Sequence, residues 1–347
     1  MDKNTIFGFV LIALILVGFT WMNRPSEEEL ALQKHYNDSI ALVQQKEAAL
    51  VAQQKAEPVV ATDSVNPNDT AALAKKADAF GAFGVAATGE EKFYTVENEL
   101  VKLVFSNKGG RIYSATLKKY QTHDSLPLVL FDAKESSMGF TLVTNNNRIV
   151  NTSDLFFEPV GDVKTDAKGN KSFVLRLKTS GAAYLDFVYT YPKKDYKMSF
   201  SLKANALNTV VPAGTNFLEM QWYSKIRQQE HGRKFEDRYS NIHYKYVADD
   251  VEKLSETKDD EKKLPNKVKW IAFKDQFFSS IMIAEDAFTS TNLKSTLEGE
   301  NSGYLKSYQA DMSVAFDPTG KKSTNLSFFF GPNQYKVLSA YDKELKG

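Results

Sequence analysis

The stretch AAYLDFVYTYPKKDYKMSFSLKA, residues 182–204, decides the fold class. Two runs of alternating apolar and polar side chains flank a turn at residues 192–195. The apolar positions are Leu185, Phe187, Tyr189 and Tyr191 before the turn, and Tyr196, Met198, Phe200 and Leu202 after it. Because successive side chains of a strand point to opposite faces, this period of two predicts an antiparallel hairpin with one buried face.

The same period recurs on both sides of that hairpin. Val101, Leu103 and Phe105 alternate ahead of an NKGG turn at residues 107–110, and SFVLRLKT (172–179) follows the same rule. We therefore predict a mainly β protein, with one large antiparallel β-sandwich over residues 93–332. A pair of smaller β-domains is the alternative. The spacing of Tyr335, Leu338 and Tyr341 predicts that residues 333–347 form a C-terminal helix.

The N-terminal 25 residues indicate a membrane anchor. Residues 6–22, IFGFVLIALILVGFTWM, carry no charge, and as a helix they would span about 26 Å, close to the thickness of a bilayer core. The anchor residues we expect are Ile6, Phe9, Leu11, Leu14, Leu16, Phe19 and Trp21. A cleaved signal peptide is the alternative, but the sequence after Met22 has no small-residue cleavage site. A short N-terminal tail favours a cytoplasmic N-terminus and export of everything after about residue 25.

Two segments separate the predicted anchor from the predicted sandwich. Residues 26–57 begin with a capping-box pattern, Ser26 and Glu29, and carry apolar residues at roughly helical spacing. They predict a helical spacer, with a coiled-coil dimer as the alternative. Residues 58–92 are rich in Ala, Asp, Thr, Asn and Gly, which is typical of a flexible linker.

The composition argues against several kinds of chemistry. The 347 residues include no cysteine, which excludes disulfides, zinc ribbons and cysteine nucleophiles. Basic and acidic residues number 44 and 43, a balance that argues against a nucleic-acid partner. The four histidines, at positions 35, 123, 231 and 243, show no metal-binding spacing and are expected at the surface. We predict no catalytic, metal or cofactor residue, no cofactor and no enzyme activity.

Two stretches are candidates for an interaction surface. Residues 221–270 mix basic and aromatic side chains, then acidic ones, so either an interaction surface or a long charged hairpin is expected. Residues 274–284, KDQFFSSIMIA, predict either a buried central strand or an exposed apolar groove. The candidate residues for an interaction or core surface are Trp270, Phe277, Phe278, Tyr335, Leu338 and Tyr341.

Five segments together resemble a known family. They are MDKNTIFGFVLIALILVGFTWMNRPS (1–26), VENELVKLVFSNKGGRIYSATLKKY (96–120), RKFEDRYSNIHYKY (233–246), KWIAFKDQFFSSIMIA (269–284) and FFFGPNQYKVLSAYDKEL (328–345). In this order they resemble the N-terminal half of the bacterial membrane protein insertases of the YidC family, in the version found in Bacteroidetes. The resemblance covers residues 1–346.

The resemblance implies a location, a fold and partners. Residues 6–22 would be an uncleaved first transmembrane helix in the bacterial inner membrane. Residues 93–332 would be a periplasmic β-supersandwich, similar to sugar mutarotases, and residues 333–346 would join it to the membrane core. The implied function is the insertion, folding and assembly of integral membrane proteins, alone or with the Sec translocon and its accessory subunits. Nascent membrane proteins and the lipid bilayer would be further partners.

The family's insertion groove lies in transmembrane helices that would follow residue 347. No second apolar span follows Met22 in this sequence, so we assign no groove residue. We therefore expect the chain as given to be an anchored scaffold or interaction domain that cannot insert proteins by itself. The alternatives are a membrane-tethered sugar-binding or sugar-modifying sandwich and a periplasmic adaptor of an efflux system.

Overall fold

The strands and short helices of the domain follow one another in chain order. The computed structural model describes residues 77–212, 214–248 and 250–345. The strands are β1 Phe93–Glu97, β2 Val101–Ser106, β3 Arg111–Gln121, β4 Pro127–Asp132, β5 Ser136–Val143, β6 Ile149–Asn151, β7 Glu158–Pro159, β8 Lys164–Thr165, β9 Lys171–Lys178, β10 Tyr184–Tyr191, β11 Lys197–Asn205, β12 Phe217–Arg227, β13 Asn241–Tyr246, β14 Val251–Lys253, β15 Asp260–Lys263, β16 Val268–Lys274, β17 Phe278–Leu297, β18 Tyr304–Ala315 and β19 Thr324–Pro332. The α-helices are α1 Arg233–Tyr239 and α2 Tyr335–Leu345, and the 3-10 helices are Gly81–Ala86, Thr152–Asp154 and Leu207–Thr209.

The strands form two antiparallel sheets. The smaller sheet has the order β1-β2-β3-β4. The larger sheet runs β6-β5-β12-β18-β17-β19-β11-β10-β9-β7, and β13, β14, β15, β16 and β8 pair beside this path. The quoted hairpin is β10 and β11, with Phe187 opposite Leu202 and Tyr189 opposite Phe200. The prediction of a mainly antiparallel β fold is confirmed.

The two sheets share one hydrophobic core, which contains buried residues from both. Phe105 of the small sheet lies 5.7 Å from the ring of Phe173 and 4.6 Å from that of Tyr189. The buried Tyr189 hydroxyl donates to the Gly110 carbonyl at 2.7 Å, so a hydrogen bond also joins the sheets. Gly110 has a φ of +61°, and a Cβ there would lie 2.7 Å from the Phe157 ring, so this turn requires glycine.

The folded unit begins earlier than the sequence predicts. The 3-10 helix Gly81–Ala86 lies within the predicted linker, yet its Phe83 is fully buried. The backbone carbonyls of Ala82 and Ala86 accept hydrogen bonds from Ser180 and Phe156, at 2.8 and 2.7 Å. The linker boundary at residue 92 is therefore corrected for this segment. Its composition does not predict this, because small residues and backbone hydrogen bonds make most of the contacts around Phe83.

Residues 221–270 do not form the single long hairpin considered as one interpretation. They contain the end of β12, helix α1 and strands β13–β16. The seven-residue helix α1 has charged residues at five of its positions, so its apolar periodicity is too weak to predict a helix. The predicted anchor and spacer, residues 1–57, lie outside the described residues. Within the described residues, none of the helices has the length and hydropathy needed to cross a bilayer.

Candidate functional site

Helix α2 is joined to the sandwich by a hydrogen-bonded asparagine. The Asn333 side-chain amide donates to the backbone carbonyls of Asp275 and Phe278, at 3.2 and 3.1 Å. Its side-chain oxygen accepts from the Ser279 hydroxyl at 2.6 Å, and its backbone amide donates to the Phe277 carbonyl at 2.6 Å. One residue thus fixes the start of α2 to the turn between β16 and β17. We call Asn333, α2 and their contacts the α2 junction.

The body of α2 packs against the core through Tyr341. Its ring lies 5.6 Å from the Phe329 ring in an edge-on arrangement, and its hydroxyl donates to the Asp195 carboxylate. The Lys197 ammonium lies 5.5 Å from the same ring. Val337 and Leu338 are half-buried against the core on the same helix. The helix is therefore held along its length by neutral groups and aromatic packing, with one carboxylate at its edge.

Helix α1 is held by a buried lysine instead. Lys306 on β18 has no exposed side-chain surface. Its ammonium donates to the carbonyls of Asp237, Ser240 and Glu256 at 2.9, 2.6 and 2.7 Å. Burial lowers the pKa of Lys306, while the Asp237 carboxylate at 3.6 Å raises it. The cation thus binds carbonyls at the C-terminal end of α1, where the helix dipole is negative. We call this arrangement the α1 anchorage.

Two buried carboxyl groups lie at these attachments, Glu236 in the α1 anchorage and Asp275 in the β16–β17 turn that binds Asn333. Glu236 accepts the backbone amides of Gln229 and Glu230, at 2.8 and 3.1 Å. Burial raises its pKa to about 8, although these two hydrogen bonds oppose the shift. Asp275 accepts the amides of Phe277 and Phe278, at 2.9 and 2.7 Å, and burial raises its pKa to about 7. Both groups therefore hold protons at pH values where exposed carboxyl groups have lost them.

An open cleft of about 790 Å³ lies among β3, β5, β12 and β18. Its lining includes Arg111, Glu135, Tyr223, Lys225 and Tyr304. Arg227 and Tyr304 both donate to Glu135, and Arg227 also donates to Asp132 at 2.8 Å. The Lys225 ammonium, which also lines the cleft, lies 3.5 Å from the Glu298 carboxylate. We call this the charged cleft.

Within the charged cleft, the Glu135 carboxylate is held by its neighbours. Both oxygens of Glu135 accept hydrogen bonds. None of the three described histidines, His123, His231 and His243, lines the cleft. His123 and His231 have ring centroids 5.6 Å apart, beside the Gln229 carbonyl. His243 is half-buried rather than at the surface as predicted, and burial lowers its pKa to about 4. Among the described residues, no group of three potential metal ligands occurs.

The structure separates the six candidate interaction or core residues into two groups. Phe277 and Tyr335 are exposed, by 49% and 85%. Phe278 is buried with its ring 5.2 Å from that of Tyr120, and Leu338 and Tyr341 are half-buried. Trp270 is half-buried, and its indole nitrogen has no hydrogen-bond partner among the described residues. The predicted anchor residues Ile6, Phe9, Leu11, Leu14, Leu16, Phe19 and Trp21 lie outside the described residues.

Sequence reasoning did not identify Asn333, Glu236 or Lys306. Asn333 lies between a strand-ending proline and a helix, a position where polar capping residues are common. Lys306 occupies an inward position of an alternating strand, in register with Tyr308 and Ala310. The sequence therefore contains a pattern that points to Asn333 and another that points to Lys306. Nothing in the residues around Glu236 distinguishes it from an exposed helical glutamate.

Together these features define a class: a two-sheet antiparallel sandwich with a terminal helix fixed to its core. Comparison with known families is more specific. The family model described as the YidC periplasmic domain matches residues 94–347. The chain therefore belongs to that family, as the sequence resemblance indicated.

Curated relatives agree with this assignment. The membrane protein insertase YidC of Parabacteroides distasonis is 46% identical over 346 residues, which are 99% of this chain and 53% of the relative. That of Bacteroides fragilis is 47% identical over 343 residues, with the same two shares. The chain thus spans about half the length of the curated relatives it matches.

Solved structures include distant similarities to sugar-processing proteins. A galactose mutarotase related enzyme from Lactobacillus acidophilus is 12% identical, with a TM-score of 0.42. The match covers 71% of this chain and 99% of that one. Likeness at this level supports no conclusion about what the chain binds.

Proposed function

We propose that this chain is the N-terminal, periplasmic-facing part of a membrane protein insertase. The observation that carries the proposal is the family match over residues 94–347, together with relatives that are named insertases. In this proposal residues 6–22 anchor the chain in the bacterial inner membrane, with the N-terminus in the cytoplasm. Residues 26–57 form a helical spacer, and the linker after it ends before the 3-10 helix at Gly81.

The sandwich itself acts as a scaffold and interaction domain, not as an enzyme. The match to the periplasmic-domain family and the relatives named as insertases support this. The proposed clients are nascent integral membrane proteins, and the proposed partners are the Sec translocon, its accessory subunits and the bilayer. The sugar-binding alternative is not favoured.

Helix α2 couples the sandwich to the membrane part of the longer protein. Its support is the α2 junction, which fixes the helix by Asn333 at its start and Tyr341 along its body. In this proposal the helix also couples directly to the membrane part that follows it. We infer that residues 333–346 matter more for insertion than the sandwich does.

Two deletions in the whole parent protein test this function. One removes residues 93–332 and the other removes residues 93–346, and insertion of a single-span client is measured by protease protection. We expect the first variant to retain most insertion and the second to lose much more. If removal of the sandwich alone abolished insertion, the scaffold role would be wrong. Equal activity of the two variants would contradict the role of α2.

A further inference from the structure

Four exposed aromatic side chains lie at one end of the larger sheet. They are Phe235, Tyr239, Phe277 and Tyr335, exposed by 67%, 46%, 49% and 85%. We call them the aromatic rim. Isolated exposed aromatics are ordinary, so their significance depends on whether the fold brings them together.

The strand register shows that the fold places Tyr239, Phe277 and Tyr335 at the same end of the sheet. Asn241 of β13 pairs with Lys274 of β16, which pairs with Ser279 of β17. Phe278 of β17 in turn pairs with Pro332 of β19. The first residues of β13 and β17 and the last residues of β16 and β19 therefore share one end of the sheet. Tyr239 precedes β13, Phe277 precedes β17 and Tyr335 follows β19, so all three lie at that end.

The α1 anchorage fixes the remaining member of the rim. Phe235 and Tyr239 are four residues apart on α1 and so share a helix face. The Lys274 ammonium donates to the Tyr239 carbonyl at 2.8 Å, and Lys306 binds the carbonyls of Asp237 and Ser240. A seven-residue helix is marginal alone, and these two lysines hold this one with its two aromatic rings outward.

The charges around the rim are mainly basic. Lys234 and Arg238 are exposed on α1, and Lys336 is exposed at the start of α2. The acidic side chains of α1 do not offset them fully, because Glu236 is buried and Asp237 lies 3.6 Å from the Lys306 ammonium. Exposed aromatic rings with flanking lysine and arginine are the composition that binds a membrane interface.

We propose that the aromatic rim docks on the surface of a bilayer containing anionic phospholipid. The rings enter the headgroup region, and Lys234, Arg238 and Lys336 bind lipid phosphates. The inference rests on the proposed placement of the chain in a membrane, and it adds a second contact between the domain and that membrane. Tyrosine suits this depth because its ring is apolar and its hydroxyl remains hydrated.

Because the sequence contains no cysteine, single labels can test the rim in the full chain. The variants Phe277→Cys and Tyr335→Cys carry an environment-sensitive fluorophore. The vesicles contain phosphatidylethanolamine, phosphatidylglycerol and a phospholipid with a headgroup nitroxide. The matched control is Ile149→Cys, because Ile149 is 72% exposed and apolar but lies at the other end of the sheet. Strand β11 begins at the rim end, where Lys197 pairs with Phe329, and so ends at the opposite end of the sheet. Near Ile149, the Asn145 backbone amide donates to the carbonyl of Val210, in the segment that follows β11.

We expect the nitroxide to quench the labels at 277 and 335 several-fold more than the label at 149. Replacing both Lys234 and Arg238 by Gln in the Phe277→Cys chain should lower the ratio of docked to undocked domain about fivefold per charge. Phosphatidylcholine vesicles should reproduce that loss. These results would support docking on an anionic surface.

Three outcomes would overturn the proposal. If the labels at 277 and 335 are quenched no more than the control, the rim does not touch lipid. If they are unquenched by lipid but shielded from aqueous iodide by an added protein, the rim binds protein instead. If the chain does not float with the vesicles at all, both the rim and the anchor fail. The first two results leave the proposed function intact, because the deletion assay tests it separately.

Discussion

The domain fixes its two helices in opposite ways. Helix α1 is held by buried ionisable groups, with the Lys306 ammonium bound to three carbonyls and the Glu236 carboxyl group bound to two amides. Helix α2 is held mainly by the amide of Asn333 and the ring of Tyr341. A buried charge is costly to leave unpaired, whereas a neutral group loses only one modest interaction. Removing a group from the α1 anchorage should therefore cost more stability than removing a group from the α2 junction.

Removal of the buried lysine should have the largest effect. Lys306→Met leaves three backbone carbonyls without their charged donor, and we expect a loss of about 3–5 kcal/mol in the free energy of unfolding. Urea denaturation measures it. The control is Lys294→Met, an exposed lysine 3.8 Å from Glu261, with an expected loss of about 0–1 kcal/mol. Equal losses would show that burial of the charge does not matter.

The next effect is a dependence of stability on pH. Burial raises the pKa of Glu236 from 4.5 to about 8, so the native state binds a proton that the unfolded state has released. Stability is then present at low pH and falls as pH rises toward 8. Between pH 6.5 and 8 we expect a decrease of about 1–2 kcal/mol, since one proton contributes about 1.4 kcal/mol per pH unit.

The window from pH 6.5 to 8 is chosen because His243 changes stability in the opposite direction at lower pH. Burial lowers the pKa of His243 to about 4, so below pH 6.5 this histidine adds stability as pH rises. Asp275, with its pKa raised to about 7, adds to the Glu236 effect only in the lower part of the window. Glu236→Gln should flatten the decrease between pH 7 and 8, whereas the exposed-site variant Glu158→Gln should not. If stability fell as steeply with pH in Glu236→Gln as in the parent protein, Glu236 would not be the group that causes the decrease.

Sequence predicted the strands well but not the two helix attachments. The period of two around Phe187 and Phe200 is unambiguous, because one-residue slips would expose every apolar side chain. The same alternation places Lys306 inward with Tyr308, so the sequence contained the evidence for a buried lysine. Its partners are backbone carbonyls from segments about 50 to 70 residues away, and no local pattern encodes such contacts. Phe83 was missed for the same reason.

In the α2 junction, removal of the asparagine should have an intermediate effect. Asn333→Ala deletes donors to the Asp275 and Phe278 carbonyls and the acceptor for Ser279. We expect a loss of about 1–2 kcal/mol, as measured by urea denaturation at pH 6.5 and pH 8. Asn292→Ala, which removes one exposed bond to Glu261, is the control. A loss that varied with pH would mean that the junction is coupled to the buried carboxyl groups.

The smallest effect should come from a single hydroxyl. Tyr341→Phe keeps the ring against Phe329 but removes the donor to Asp195, and we expect a loss of about 0.5–1.5 kcal/mol. Tyr341→Ala removes the ring as well, and the loss should rise to about 3 kcal/mol because packing of the half-buried ring then disappears. Amide hydrogen exchange over residues 335–341 distinguishes the two contributions. If Tyr341→Phe released the helix as fully as Tyr341→Ala, the hydroxyl rather than the ring would hold α2. The junction would then depend on a polar contact, as the α1 anchorage does.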